Sequence, residues 1–221
     1  MSGIAGTVAG SSIRGDLEGQ IRDGRPHLAG TLALEDLDLG LGAEMMFGSS
    51  ALQSEGDAWA QAPFRQNINA PFSADVTLAA DRLWVGNAGP AEEARFDLSF
   101  GPEGMSVSDL SARFRGGSLE GLAEMRNDGG TGLFSSQFSL RDAPLQEVLP
   151  SAGLSGRADL SASLTASGKS VNGMVASLSG SGSAALDDLQ ISGLDASALP
   201  SIIERADRLG VDVNAERVAT F

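Results

Sequence analysis

The chain has one histidine, His27, which follows Arg25-Pro26 at the edge of an apolar run. A general base needs an oriented partner and a nucleophile within reach. No such pattern surrounds His27, so the expectation is a surface residue without a catalytic task. Carboxylates pair at Asp36/Asp38, Glu92/Glu93 and Asp187/Asp188. Hydrolysis by two carboxylates needs both aimed at one bond, whereas adjacent acids such as Glu92/Glu93 and Asp187/Asp188 point to opposite faces of a strand, and acid pairs of this kind usually mark solvated loops. Asp128-Gly129-Gly130 has a faint likeness to calcium-binding repeats, but it occurs once, without the period that stacks ligands, and reads as a turn. Gly180-Ser181-Gly182 lacks the strand-to-helix context and the following Gly-Lys-Ser/Thr of a phosphate loop, so these small residues read as packing within a sheet. Cysteine is absent, which removes disulfides, thiolate metal sites and thiol nucleophiles together. No catalytic, cofactor-binding or metal-ligating residue is expected, and the chain reads as a non-enzyme.

The elements that would position any site are mostly strands. The 221 residues are 42% hydrophobic and 20% charged, a globular composition, but only 5% aromatic, with no Tyr and 29 Gly. Period-two alternation dominates, in short runs separated by Gly, Asp, Asn and Pro. Ala29–Leu34 and Ala74–Ala79 alternate. Phe96, Leu98 and Phe100 alternate with Asp97 and Ser99, and Gly101-Pro102-Glu103-Gly104 supplies a turn. Met105 and Val107 are followed by Leu110, Ala112 and Phe114, so the apolar phase slips by one near Ser108-Asp109, where a β-bulge would restore it. Turns are expected at 115–118 and 127–130, around a strand from Leu119 to Met125. Phe134, Ser136, Phe138 and Leu140 continue the theme, as do the runs 156–164 and 174–186.

Helices are few. One begins near Ala198, with Leu199, Ile202, Ile203, Ala206 and Leu209 at helical spacing and Gly210 to end it. A second covers Leu145 to Leu149, and the Pro-containing stretch 141–153 is the best candidate linker. The fold class indicated is mainly β: an extended antiparallel, curved sheet, groove or trough-like, with one or two short helices.

The net charge of −14 opposes the clustered cations that nucleic acid requires, and it prevents adhesion to anionic bilayers by electrostatics alone. No run of about 18 apolar residues occurs, and Met1-Ser2-Gly3-Ile4-Ala5 lacks the charged and apolar regions of a signal peptide. If the protein works outside the cytoplasm, its targeting sequence is expected to be missing from this chain. An outer-membrane barrel would need aromatic girdles, which a chain with no Tyr and two Trp does not supply.

Roughly ten strands at ~4.8 Å spacing and ~25 Å length give one sheet face on the order of 1,000 Å². Exposed patches ordinarily reach about 300–600 Å², and a helix of about eleven residues, ~16 Å long, covers only a small part. The sheet must fold over on itself or offer its apolar side to something else. Phe96, Leu98, Phe100, Phe114, Phe138, Leu160, Leu164 and Leu178 are the candidate lining residues. On pattern alone they serve equally as the core of a β-sandwich.

The segment Phe96-Asp97-Leu98-Ser99-Phe100, the Gly101–Gly104 turn and the run Met105 to Gly121 with its Gly116-Gly117 turn resemble the strand pattern of AsmA-like envelope proteins. So do Leu154 to Ser170, Leu178 to Leu186 and Ile191-Ser192-Gly193-Leu194-Asp195, which are similar to that family's C-terminal region. The resemblance covers most of residues 90 to 200 and divides the chain into a β-rich segment 1–90, alike only in general style, and an AsmA-like region 91–221. It implies a periplasmic β-groove, tethered to the inner membrane of a Gram-negative bacterium through a segment not in this chain. It also implies phospholipid or acyl chains as partners, possible envelope-protein partners, and a part in outer-membrane integrity or assembly. Set against that resemblance, the absence of an anchor and an end at Val218-Ala219-Thr220-Phe221 inside what reads as another strand lead to the expectation of a fragment. The resemblance favours a groove lining over a sandwich core; the alternative is a structural or protein-interaction scaffold without lipid transfer.

Overall fold

The computed structural model describes residues 2–8, 11–22, 24–53, 58–68, 70–86, 89–150 and 153–191. Ten strands form one sheet in chain order: β1 (Ser2–Val8), β2 (Ser11–Arg22), β3 (Arg25–Asp38), β4 (Ser73–Trp84), β5 (Pro90–Gly101), β6 (Gly104–Phe114), β7 (Gly117–Asp128), β8 (Thr131–Pro144), β9 (Leu154–Gly168) and β10 (Ser179–Ile191). The fold is mainly β, as its alternation requires, and the sheet is not closed: among the described residues β1 and β10 are its two edges. Four short helices lie among the described residues, α1 (Gly40–Phe47), α2 (Ser49–Leu52), α3 (Leu145–Val148) and α4 (Val171–Ala176), where the sequence indicated one or two. The expected helix near 199–209 lies outside the described residues.

Every neighbouring pair is antiparallel except β3 and β4, which are parallel. A parallel pair cannot be joined by a tight turn and needs a crossover. Residues 39–72, carrying α1 and α2, provide it. Elsewhere the turns are short. Arg115-Gly116 (φ 50° and 75°) and Gly129-Gly130 (φ 56° and 90°) place two consecutive residues at positive φ, the conformation that matches hairpin twist.

The alternation slips at four places, and an acidic residue at positive φ sits at each: Glu93 (53°), Asp109 (51°), Asp142 (58°) and Asp188 (52°). An unpaired bulge residue in the left-handed region lets both flanks of a strand keep their facing. Asp is the side chain, after Gly and Asn, that adopts that region at least cost. The slip near Ser108-Asp109 is therefore a bulge, as its pattern indicated.

Two expectations are corrected. The run 174–186 is not one strand: α4 occupies 171–176, started by Ser170, whose Oγ accepts from the Gly173 N–H at 3.1 Å, and β10 begins at Ser179. The stretch 141–153 is not a linker between domains, because β8 runs to Pro144 and pairs with β9 in the same sheet. The sheet also passes residue 90 without interruption, β4 pairing with β5.

Register places Ala74, Val76 and Leu78 of β4 opposite Phe100, Leu98 and Phe96 of β5, and carries the same side through Met105 and Val107 of β6 to Met125 and Ala123 of β7. A core gathers on this side around Phe96, Leu78, Leu83 and Val107. What closes over it are the sheet's own Leu32, Leu34, Leu110 and Phe114, with Leu39 and Phe72 of the crossover. A flat sheet cannot bury a ring on its own face, so the 2% exposure of Phe96 means that the apolar side is bent inward here. A second cluster joins Met46, Phe47, Ala51 and Phe64 of the crossover to Phe100 and Met105. The rings of Phe47 and Phe64 lie 4.3 Å apart, over Gly132, where a Cβ would stand 2.9 Å from Phe64 and 3.1 Å from Phe47.

Candidate functional site: a half-open apolar face

The apolar side does not end with its core. From Phe134, Phe138 and Leu140 of β8 the register continues to Ala166, Ala162 and Leu160 of β9, and from these to Gly182 and Ala184 of β10. Of the eight residues expected to line a groove, all but Leu178 stand on this one side. They do not share one environment. Phe96 and Phe100 are buried in the core and Leu98 and Phe114 pack against it. Leu160 and Leu164 are half-buried, and Phe138 is 37% exposed. Leu178 is exposed and precedes β10 rather than standing on it.

The residues nearest the open edge were not singled out from sequence. Leu186, Leu189 and Ile191 are 43–48% exposed. Leu186 pairs with Ala158 and Ile191 with Leu154, so the bulge at Asp188 returns the end of β10 to the apolar side. The signal was the same as at Asp109: an apolar phase that slips next to an aspartate.

Across β7–β10 the row Gly121, Phe138, Ala162 and Gly182 sets one ring among small residues. The reverse side of the same strands is hydrophilic and carries a shallow depression of about 750 Å³ lined by Glu120, Gln137, Ser139, Ser161, Ser163 and Ser181 among others. The sheet is therefore wet on one side and apolar on the other.

His27 is not a surface residue. It is 2% exposed, with Nδ1 2.9 Å from Ser73 Oγ and Nε2 3.5 Å from Asp75 Oδ2. Asp75 also accepts from Ser99 Oγ at 2.7 Å and lies 3.5 Å from Arg22. Ser, His and Asp in one line have the composition of an acyl-transfer relay, but that chemistry requires the imidazole to reach the leaving group, and this ring is sealed. Ser73 stands directly opposite His27 in the parallel ladder, and the contact ties β3 to β4 where no tight turn joins them.

The acid pairs do not converge on a reacting atom. Asp36 pairs with Arg82 at 2.6 Å and accepts from Trp84 Nε1 at 3.3 Å. The Arg82 hydrogen bond, helped by that of Trp84, holds the Asp36 carboxyl below its ordinary value of 3.8. Glu92 and Glu93 both lie 3.4 Å from Arg113, and Asp188 is a bulge residue. No cluster of three or more potential metal ligands occurs among the described residues.

Comparison with known proteins found no matching family model, no matching characterised protein and no matching solved structure.

Proposed function

We propose that this chain is a lipid-binding module of the cell envelope, which takes acyl chains against the apolar side of β8–β10 and has no catalytic task of its own. In this reading it is the periplasmic β-groove of an AsmA-like protein, held to the inner membrane by a segment outside this chain and serving phospholipid transport to, and integrity or assembly of, the outer membrane. The observation that carries it is that Phe138 (37% exposed), half-buried Leu160 and Leu164, and exposed Leu186, Leu189 and Ile191 stand on one continuous side. Each CH₂ buried there contributes about 0.8 kcal/mol, so an acyl chain laid along it binds without charge contacts. The net charge of −14 leaves apolar contact as the means of association with anionic lipid.

The test is binding of a fluorescent fatty acid to the purified chain, with mass spectrometry of lipid that co-purifies. Phe138→Asp and Leu164→Asp should each abolish binding while Ser163→Asp, on the opposite side, leaves it intact. A chain that carries no lipid and takes up no fatty acid overturns the reading. One observation favours a second reading, a scaffold that adds strands to a neighbour: along β10 every residue is exposed, and no charge stands between Ser179 and Leu186 to discourage edge pairing. Strand-specific crosslinking to an envelope protein in the absence of lipid would decide for it.

A further inference from the structure

We propose that the end of the sheet where residues 58–64 meet α4 is the surface by which this chain docks on a lipid bilayer. Trp59, Val175 and Leu178 enter the headgroup layer there, and Lys169 and Arg65 face lipid phosphate. The purpose of such docking rests on the lipid reading; the surface itself stands on other residues.

This end is a hydrogen-bonded frame. The Phe64 N–H donates to Lys169 O at 2.8 Å and the Asn172 N–H to Ala60 O at 2.9 Å, so the tail of the crossover is fastened to the junction of β9 and α4. α4 is held at both ends: Ser170 caps its start, and Ser177 Oγ donates to Ser167 O while accepting from the Ser167 N–H. Gly168 makes room for the helix, since a Cβ there would collide with the backbone of Gly173 and Met174. The frame leaves apolar side chains in water. Trp59 is 59% exposed, Leu178 50% and Val175 38%, and no residue of α4 is fully buried. The Leu178 N–H donates to Val175 O at 3.2 Å, which keeps those two together. At six residues α4 is far too short to cross a membrane. The contact is therefore with the bilayer surface, where Trp sets its apolar ring and polar N–H across the boundary.

Exposed apolar residues alone would fit a protein partner as well; charge favours lipid. The chain carries −14, yet residues 58–68, 129–140 and 160–186 contain no acid, and the charges within them are Arg65 and Lys169, the only lysine of the chain. Both cations are exposed. Glu55 and Asp57, which precede the first stretch, lie outside the described residues, and toward β7 the acid-free region ends at Asp128, opposite Thr131. The other end of β8–β10 is the reverse, with Asp142, Glu147, Asp159, Asp187 and Asp188. Such a division orients an acidic protein on an anionic surface: the acid-rich end is repelled, and the cations at the other meet the phosphates. From the docked end the apolar side of β8 leads inward through Phe134 and Phe138, so a lipid leaving the bilayer meets those rings.

The two tryptophans separate the ends, because Trp59 lies at this one and Trp84 closes β4 at the opposite one. In the full 221-residue protein, Trp84→Phe leaves Trp59 as the reporter and Trp59→Phe leaves Trp84. Vesicles of phosphatidylethanolamine and phosphatidylglycerol should shift Trp59 emission to the blue and shield it several-fold from acrylamide, with Trp84 unmoved. Leu178→Asp and Val175→Asp should each lower vesicle affinity several-fold, whereas Val85→Asp, an exposed apolar site beside Trp84, should not. Lys169→Glu should weaken binding to these vesicles several-fold and to phosphatidylcholine alone hardly at all. All four positions are exposed, so the substitutions spare the fold, which circular dichroism checks. Equal responses of the two tryptophans, no response of either, or Leu178→Asp and Lys169→Glu variants that bind as before overturn the docking surface. So does self-association that Leu178→Asp abolishes while vesicles have no effect, which would make this end a protein contact. If vesicles bind by this end but no fatty acid is taken up, the lipid reading of β8–β10 fails and the docking surface remains. If fatty acid is taken up but vesicles are ignored, docking fails and the lipid reading remains.

Discussion

The strands β3–β6 and the strands β8–β10 carry the same binary pattern, yet their apolar sides meet different fates. Over β5 and β6, Phe96, Phe100 and Met105 are buried because the sheet bends and the 39–72 crossover lies across it. Over β8–β10 the equivalent side chains Phe138, Leu160, Leu164 and Leu186 stay partly or largely open to solvent. The difference lies in topology. One parallel pair forces a long crossover, and that crossover lies over Phe100 of β5, Met105 of β6 and Gly132 of β8, whereas α3, the one helix in the β6–β9 connections, buries only Leu145 of its four residues. A strand's alternation states which side is apolar, and the connections decide whether that side becomes core or surface.

Removing a ring from each region should give the largest contrast. Phe96→Ala should cost about 3–5 kcal/mol in denaturant unfolding, as for a fully buried aromatic. Phe138→Ala should cost about 1–2 kcal/mol, because much of its area is already in water, and its main effect should be on fatty-acid uptake. Equal losses of stability at the two positions would mean that both sides are equally covered and would erase the contrast between core and open face.

Overfilling the seat of the crossover should come next. Gly132→Val places a Cβ against Phe64, Met174 and Phe47 and should destabilise by about 1–3 kcal/mol, while exposing the second cluster to a dye such as ANS. The same substitution at Gly182, on the open side, adds a Cβ whose nearest neighbour is Ser161 O at 2.6 Å. It should leave ANS binding little changed while weakening β10 pairing, visible as faster amide exchange in β9 and β10.

A smaller effect is expected at the bulges. Asp109→Ile forces a β-branched residue into φ 51° and should cost about 1–2 kcal/mol, whereas Asp109→Gly should be nearly neutral. The same pair of changes at Asp188 (φ 52°) should perturb only β10, since that bulge lies in an edge strand. If Asp188→Ile unfolds the whole sheet, the open region is as cooperative as the closed one.

The smallest effect concerns the ion pair on the wet side. Arg82 stabilises charged Asp36, so the folded-state pKa of that acid is lowered. A depressed acid contributes stability above its unfolded value, and the contribution is lost as pH falls through the lower folded value. Arg82→Ala should therefore weaken the protein slightly near neutrality and not at all once Asp36 is protonated in both states. A stability loss that grows as the pH is lowered below 3.8 would contradict the sign.

The strands of the C-terminal half were legible because their alternation is strict and their turns carry glycine at positive φ, as at Gly116 and Gly129-Gly130. Even the bulge at Asp109 left a readable trace, a slip of phase beside an acid that tolerates the left-handed region. What escaped was set by distant partners. His27 looks like a surface residue because its two partners, Ser73 and Asp75, lie far along the chain. Helices α1 and α2 are short, and only two and one of their residues, respectively, are fully buried, so no helical period announces them. The stretch 174–186 misled because Ser and Gly at alternate positions continue a strand pattern through residues that Ser170 in fact caps as a helix.

By itself the sequence determined a mainly β chain with one apolar and one hydrophilic side, its turns and bulges, and the residue types available for contact, since these depend on neighbours one to four positions away. Only the tertiary structure decided that β3 and β4 run parallel, that Phe96 is core while Phe138 is surface, and that His27 is sealed. Those outcomes depend on which connection lies across which strands, a long-range choice that period-two alternation leaves open.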